Sequence, residues 1–178
     1  MSEEYRVVLA GFGGQGILFA GKVLAYTGLI DDREVSWMPS YGPEMRGGTA
    51  NCSVTLSDEP IGSPLVVDPN VLLCMNQPSL DKFIDDVTPG GVVVVDKTLI
   101  NHLPQRDDVK LFAIDATTIA EEHGLKGLAN IICLGKIYAE TKFASMETVE
   151  AAINKVVPPR KAHLIEKNIE AFKLGMTL

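Results

Sequence analysis

The hydrophobic positions of the chain fall into short runs that predict strands and into longer segments whose apolar residues recur with helical spacing. The runs are rich in Val, Leu and Ile, and several are bounded by Gly, Pro or Asn. They predict strands over 5–10, 35–38, 49–56, 71–75, 92–96 and 109–114. The helical spacing predicts helices over 17–27, 117–123, 130–140, 146–156 and 160–173, with another beginning near Pro78.

The order of these elements indicates a single three-layer α/β/α domain over residues 1–178. Alternating strands and helices are typical of a mostly parallel, mixed sheet with helices on both faces. The first strand, helix and second strand form a Rossmann-like start, and we expect these two strands to be parallel. The C-terminal third is predicted to be helical. No repeat, low-complexity segment or domain linker interrupts this pattern.

The amino-acid composition and net charge argue against several classes of function. The 178 residues are 46% hydrophobic and carry a formal net charge of −7, which argues against binding to nucleic acid because an acidic surface repels phosphates. Apolar runs such as 92–95 are far shorter than the ~20 residues of a membrane span. The acidic start of the chain lacks the features of a signal peptide. We therefore expect a cytoplasmic protein without a membrane contact.

The cysteines and histidines offer no metal site. Cys52, Cys74 and Cys133 are far apart in sequence, without the close spacing of an iron–sulfur or zinc site. The three histidines are equally scattered. We expect reduced, buried thiols and no metal ligands.

A glycine-rich turn follows the first strand. Gly11, Gly13 and Gly16 satisfy G-x-G-x-x-G at the mouth of a helix, where backbone amides favour an anion. A dinucleotide site also needs an acidic residue at the end of the second strand, but Pro39-Ser40 stand there and Asp31 and Asp32 come too early. Three interpretations of the turn stay open. The glycines allow close packing of helix and strand, they bind an anion or a cofactor group, or they form a full dinucleotide site, which is the least supported of the three.

The segment from Ser40 to Gly48 is a second loop rich in glycine. Arg46 lies beside Gly47-Gly48, and its guanidinium could bind a phosphate or carboxylate in two-pronged fashion or pair with Glu44. We expect both loops to leave the carboxyl ends of neighbouring strands, where ligands of open α/β sheets bind.

Together the two loops resemble the gamma subunit of 2-oxoacid:ferredoxin oxidoreductases. The resemblance rests on Gly11-Phe-Gly-Gly-Gln-Gly16, on Pro39-Ser-Tyr-Gly-Pro-Glu-Met-Arg-Gly-Gly48 and on Ile61-Gly-Ser-Pro64, and it continues more thinly into 69–77, 130–135 and 168–172. It covers nearly the whole chain. The second loop favours the 2-oxoglutarate, 2-oxoisovalerate or pyruvate branches over the indolepyruvate branch.

The resemblance implies one part of a hetero-oligomeric enzyme. Such complexes use thiamine diphosphate, Mg²⁺, iron–sulfur clusters and coenzyme A, held largely by alpha and beta (thiamine-binding) subunits and a ferredoxin-like subunit, and they reduce ferredoxin. The gamma subunit is expected to position its partners and to help form the coenzyme A side of the site, with no cofactor bound by this chain alone and no catalytic residue of its own. Among the 2-oxoacids, the resemblance leads us to expect 2-oxoglutarate as the substrate of the complex.

The residues expected to contact the coenzyme A side come from both loops. They are Gly11, Gly13, Gly14, Gln15, Gly16, Ser40, Tyr41, Gly42, Arg46, Gly47 and Gly48. Two alternatives stay open: a free-standing Rossmann-type nucleotide-dependent oxidoreductase, and a non-enzymatic module that binds a nucleotide or coenzyme A.

Overall fold

Six strands form one mixed sheet in a computed structural model that describes residues 3–40 and 49–178. In chain order they are β1 (Glu4–Phe12), β2 (Glu34–Ser40), β3 (Thr49–Ser57), β4 (Val71–Cys74), β5 (Val92–Asp96) and β6 (Lys110–Ile114). Their order across the sheet is β2-β3-β1-β4-β5-β6. All run in one direction except β3, which is antiparallel to both of its neighbours.

Helices cover both faces of the sheet, as the three-layer prediction requires. They are α1 (Ile17–Ile30), α2 (Gln77–Phe83), α3 (Ala116–Glu122), α4 (Ala129–Thr141), α5 (Met146–Val156) and α6 (Ile165–Gly175), with 3-10 turns at Ile84–Asp86, Lys97–Leu99 and Pro159–Leu164. Within residues 3–40 and 49–178, no helix has the length and apolar character needed to cross a membrane.

The alternation of side chains along β1 separates two hydrophobic clusters. Val7 and Leu9 pack in the larger cluster with α1, α4, α5 and α6, whereas Val8 packs in the smaller one with Leu80 of α2. This division follows from the two-residue period of a strand. The long helices therefore cover one face, and α2 and its neighbouring turns cover the other.

The position of β3 differs from the sequence-based expectation. β1 and β2 run in the same direction, but β3 lies between them and pairs with both. The connection from β2 to β3 is residues 41–48, which is shorter than the dozen or so residues that a parallel crossover needs. An antiparallel pairing of β2 with β3 is the outcome that this short connection permits.

The last predicted helix begins later than its apolar spacing indicates. Residues Pro159–Leu164 form a 3-10 turn, and Lys161 has non-helical angles (φ −114°, ψ 19°). Pro158 and Pro159 lack the amide hydrogen of other residues and restrict the residue before them. The regular helix α6 therefore starts only at Ile165.

Candidate functional site

The glycine turn between β1 and α1 has a fixed backbone shape. Gly14 and Gly16 have φ values of 91° and 73°, which are costly for residues with a Cβ. The side chain of Gln15 holds the turn in place: its Oε1 accepts from the Phe12 amide at 2.6 Å, and its Nε2 donates to the Met75 carbonyl at 3.1 Å. Gln15 thus ties the turn to the chain that follows β4.

Asn130, at the start of α4, holds the end of this turn. Its Nδ2 donates to the Gly16 carbonyl at 2.9 Å, and a Cβ on Gly16 would overlap this amide group. Sequence reasoning assigned no role to Asn130, although it opens one of the segments in which the family resemblance continues. The glycine at position 16 is therefore required both by its positive φ and by the close approach of Asn130.

A small cavity adjoins the turn at the carboxyl edge of the sheet. Its volume is about 210 Å³, and Gly14, Gln15, Met75, Thr117 and Glu121 are among its walls. Sites for whole organic ligands measure roughly 300–1,000 Å³. The cavity next to the turn is thus large enough for one group of a ligand and too small for a dinucleotide.

Asp96 is a buried carboxylate at the same edge, and sequence reasoning did not single it out. Its oxygens accept from the Thr117 hydroxyl at 2.5 Å, the Thr117 amide at 3.3 Å and the Thr98 amide at 3.2 Å. These bonds connect the end of β5 to the start of α3. Because its oxygens already accept three hydrogen bonds, Asp96 acts as a structural link rather than as the missing ribose-binding acid.

Of the second loop, the structure describes only Ser40. This residue is exposed at the end of β2 and pairs with Asn51 of β3. Tyr41, Gly42, Arg46, Gly47 and Gly48 lie outside the described residues.

The two loops leave the same edge of the sheet, since β1 and β2 point in one direction. The expectation that these strands are neighbours is wrong, because β3 separates them. Two strand spacings, about 10 Å, therefore lie between the end of β1 and the end of β2.

The three cysteines are buried and free, as predicted. Burial raises the pKa of the Cys52 thiol to about 12 and raises the pKa values of Cys74 and Cys133 well above their usual range. None of them is an activated nucleophile. In residues 3–40 and 49–178, no three His, Cys, Asp or Glu side chains come together in an arrangement suited to a metal ion.

Comparison with known proteins identifies the family. The family model described as pyruvate ferredoxin/flavodoxin oxidoreductase matches residues 6–178. The 2-oxoglutarate synthase subunit KorC of Methanocaldococcus jannaschii is 43% identical over 179 residues, covering 98% of this chain and 92% of that protein.

Another relative is longer than this chain. The ketoisovalerate oxidoreductase subunit VorA of Methanothermobacter thermautotrophicus is 46% identical over 136 residues, covering 76% of this chain. The match spans only 28% of the length of that relative.

A solved structure has the same fold along its whole length. The gamma subunit of a keto/oxoacid ferredoxin oxidoreductase from Geobacter sulfurreducens superposes with a TM-score of 0.83 at 31% identity, covering 97% of this chain and 96% of that one. The resemblance to gamma subunits that the two glycine-rich loops indicated is thereby confirmed. The chain belongs to the pyruvate ferredoxin/flavodoxin oxidoreductase family.

Proposed function

We propose that this chain works as the gamma subunit of a multi-subunit 2-oxoacid:ferredoxin oxidoreductase whose substrate is 2-oxoglutarate. The observation that carries the proposal is the match to KorC along 98% of this chain and 92% of that subunit. The VorA match favours a branched 2-oxoacid, but it spans only 28% of that protein. The near-complete match is the better guide to a free-standing subunit, so we choose 2-oxoglutarate.

In this proposal the redox and carbanion chemistry belongs to other chains. The complex oxidises the 2-oxoacid with thiamine diphosphate and Mg²⁺, passes electrons through iron–sulfur clusters to ferredoxin, and forms the thioester of coenzyme A. The residues of this chain do not fit a cluster, because a cluster takes four ligands that are typically thiolates, whereas its three thiols are buried and protonated. Alpha and beta subunits and a ferredoxin-like subunit supply these groups, and the assembly is cytoplasmic.

Exposed apolar side chains support a role in an assembly. Met38 is 44% exposed, and Leu65 and Val67 are 59% and 68% exposed. They lie near one another, because Met38 pairs with Ser53 across the sheet and the Ser53 hydroxyl accepts from the amide of Val66. An uncovered apolar surface of this kind is typical of a site that a partner protein buries. We propose that the thiamine-binding subunits cover it.

The glycine turn supports a contact with coenzyme A. The first turn of α1 directs unpaired backbone amides toward its amino-terminal end, and this end of a helix favours anions. The turn and the end of β2 share one edge of the sheet. We propose that a phosphate of coenzyme A meets this edge and that Arg46, from the second loop, binds it.

Reconstitution of the complex tests the proposed assembly. The isolated chain should show no oxidation of 2-oxoglutarate in the presence of coenzyme A and an artificial electron acceptor. Adding alpha, beta and ferredoxin-like subunits should give a stable complex by gel filtration together with thioester formation. Turnover by the isolated chain would contradict the proposal, and stoichiometric binding of NAD would favour the nucleotide-dependent oxidoreductase instead.

The Arg46→Ala variant tests the contact with coenzyme A. Loss of a charged hydrogen bond should weaken coenzyme A by about 1.5–3 kcal/mol, roughly a 10- to 150-fold rise in its KM. The KM for 2-oxoglutarate should stay constant, because that substrate binds in other subunits. Steady-state kinetics on the reconstituted complex measure both values.

The matched control is Arg160→Ala, which removes the same charge from an exposed residue outside both loops. It should leave both KM values unchanged. An intact Arg46→Ala complex with normal dependence on coenzyme A would remove Arg46 from this role. A complex that loosens and loses every activity together would point to pairing with Glu44 or with a partner subunit.

A further inference from the structure

A second, larger cavity lies on the helical side of the molecule, beside the start of α1. It is a groove of about 490 Å³, and Gly127 borders both this groove and the small cavity at the glycine turn. Its walls come from the first turns of α1 and α4, the loop before α4, the corner after α5 and the start of α6. The volume lies within the roughly 300–1,000 Å³ of small-molecule sites.

The groove is basic, although the whole chain carries a net charge of −7. Lys126, Lys161 and Lys167 line it, and among the described residues no Asp or Glu does so. None of the three lysines forms an ion pair within the part of the chain that the structure describes. The acidic residues Glu166 and Glu170 of α6 line a different depression. The groove therefore concentrates uncompensated positive charge, which attracts anions.

Two buried asparagines in the groove have an unused hydrogen-bond acceptor. Asn130 and Asn168 are each 3% exposed. Their Nδ2 atoms donate to the carbonyls of Gly16 at 2.9 Å and of Leu164 at 2.8 Å, which fixes both amide groups. The Oδ1 atom of each is buried and has no hydrogen-bond partner among residues 3–40 and 49–178. Such atoms are uncommon in folded proteins because their lost hydration is uncompensated, so each calls for a donor from outside.

The remaining walls are apolar. Phe19, Leu128 and Leu164 are half-buried side chains that border the groove. The groove therefore suits a ligand with three features. The lysines favour an anionic group with several oxygens, the asparagines favour hydroxyl or amide N–H donors, and the apolar side chains favour a flat or apolar part. Lysine is a common binder of phosphate through its point charge.

We propose that this lysine-lined groove binds an organic phosphate that carries hydroxyl or amide N–H groups, of the size and chemistry of a nucleoside diphosphate. Coenzyme A contains the same chemistry and is one possible source of it; a free nucleotide is the other. The proposal concerns a groove on this chain and holds whether or not Arg46 contacts coenzyme A.

An NMR titration of the ¹⁵N-labelled full chain tests the proposal with four probes: ADP, coenzyme A, inorganic pyrophosphate and adenosine. The side-chain amide signals of Asn130 and Asn168 should shift with ADP. Adenosine lacks the phosphates and should bind about tenfold more weakly or worse, the effect of losing one charged hydrogen bond. Pyrophosphate lacks the hydroxyl donors and ring and should also bind more weakly than ADP. Comparison of ADP with coenzyme A shows which source the groove prefers.

Two triple variants with the same change of charge distinguish binding in this groove from a general attraction of ADP to positive charge on the protein. Lys126→Gln, Lys161→Gln and Lys167→Gln together should weaken ADP at least about tenfold. The control combines Lys82→Gln, Lys97→Gln and Lys110→Gln, which are exposed and outside the groove, and should keep the affinity of the natural chain.

Three outcomes would overturn the proposal. They are no binding of any phosphate probe, equal weakening in both triple variants, and shifts confined to residues outside the groove. If the groove triple fails to fold, single variants and the shifts of Asn130 and Asn168 in the natural chain decide the matter. Because the readout is binding to the isolated chain, failure here is distinguishable from failure of the oxidoreductase assembly.

Discussion

Gly135 lies where α4 and α6 cross and their backbones touch. A Cβ at this position would overlap the Phe172 carbonyl, and one at Gly175 would overlap the Ile132 carbonyl. Gly135→Ala should gain about 1 kcal/mol of helix propensity. It must also push two helices apart, and overpacking of this kind costs about 1–3 kcal/mol or more when backbone has to move. We expect a net loss of about 2 kcal/mol in the free energy of unfolding, measured in urea.

Gly62→Ala is the matched control for this substitution. Among the residues that the structure describes, none has an atom within 4 Å of a Cβ built at Gly62, and the φ of Gly62 is not in the left-handed region. The free energy of unfolding should change by no more than about 0.5 kcal/mol. Equal effects of the two substitutions would show that the α4–α6 crossing does not depend on Gly135.

At the scale of elements, α5 depends on the cap at its amino-terminal end. The Ser145 hydroxyl accepts from the Thr148 amide at 3.1 Å, and the Thr148 hydroxyl donates to Asp31, just after α1, at 2.8 Å. Ser145→Ala should therefore lower the free energy of unfolding by about 1 kcal/mol, the usual effect of losing a cap. Ser145→Asp keeps a hydrogen-bond acceptor at this position and should retain most of the stability that Ser145→Ala loses, as measured by thermal unfolding. An unchanged Tm for Ser145→Ala would exclude this cap as a source of stability.

The elements were largely predictable because their signals are local. Alternation predicted β3, and a run of valines predicted β5, while Pro158 and Pro159 shortened the last helix for a reason also visible in the sequence. To predict that β3 lies between β1 and β2, one would have had to notice that the connection at 41–48 is too short for a parallel crossover. Pairing partners are non-local, so periodicity alone does not determine them.

The candidate site was less predictable than the elements. The glycines of the turn were identified because Gly11, Gly13 and Gly16 have the G-x-G-x-x-G spacing directly after a predicted strand. Asn130 and Lys126 escaped notice because their roles arise only when α4 folds against the start of α1. Asn168 and Lys167 lie still farther along the chain. A groove built from three distant segments of the chain has no short sequence signature.

At the scale of the whole molecule, three buried thiols connect stability to pH. Cys52 and Cys133 lie in the larger hydrophobic cluster and Cys74 in the smaller one. Burial raises their pKa values, that of Cys52 to about 12, whereas an unfolded thiol titrates near pH ~8.5. Between these values the folded chain keeps protons that the unfolded chain has lost. Stability is therefore fully present below about pH 8.5 and falls as the pH rises, by about 1.4 kcal/mol per pH unit for each thiol.

Urea unfolding at pH 7, 9 and 10 measures this dependence. The Cys52→Ala variant should be less stable at pH 7, because the smaller side chain leaves a cavity in the core. Above pH 9, however, its stability should fall less steeply than that of the unmodified chain, with a difference in slope of about 1.4 kcal/mol per pH unit. The difference in slope separates the titration of Cys52 from that of lysines and tyrosines, which both proteins share. Identical slopes would contradict the assignment.

The central position of β1 has a consequence for synthesis of the chain. β1 is made first, yet its partners are β3, which ends at Ser57, and β4, which begins at Val71. At about 5–20 residues per second, a ribosome needs several seconds to add the segment from the end of β1 at Phe12 to the end of β3 at Ser57. During that interval β1 and α1 have made no sheet contact, and their apolar side chains stay uncovered. The nascent chain is thus most exposed to chaperones and to aggregation before β3 arrives.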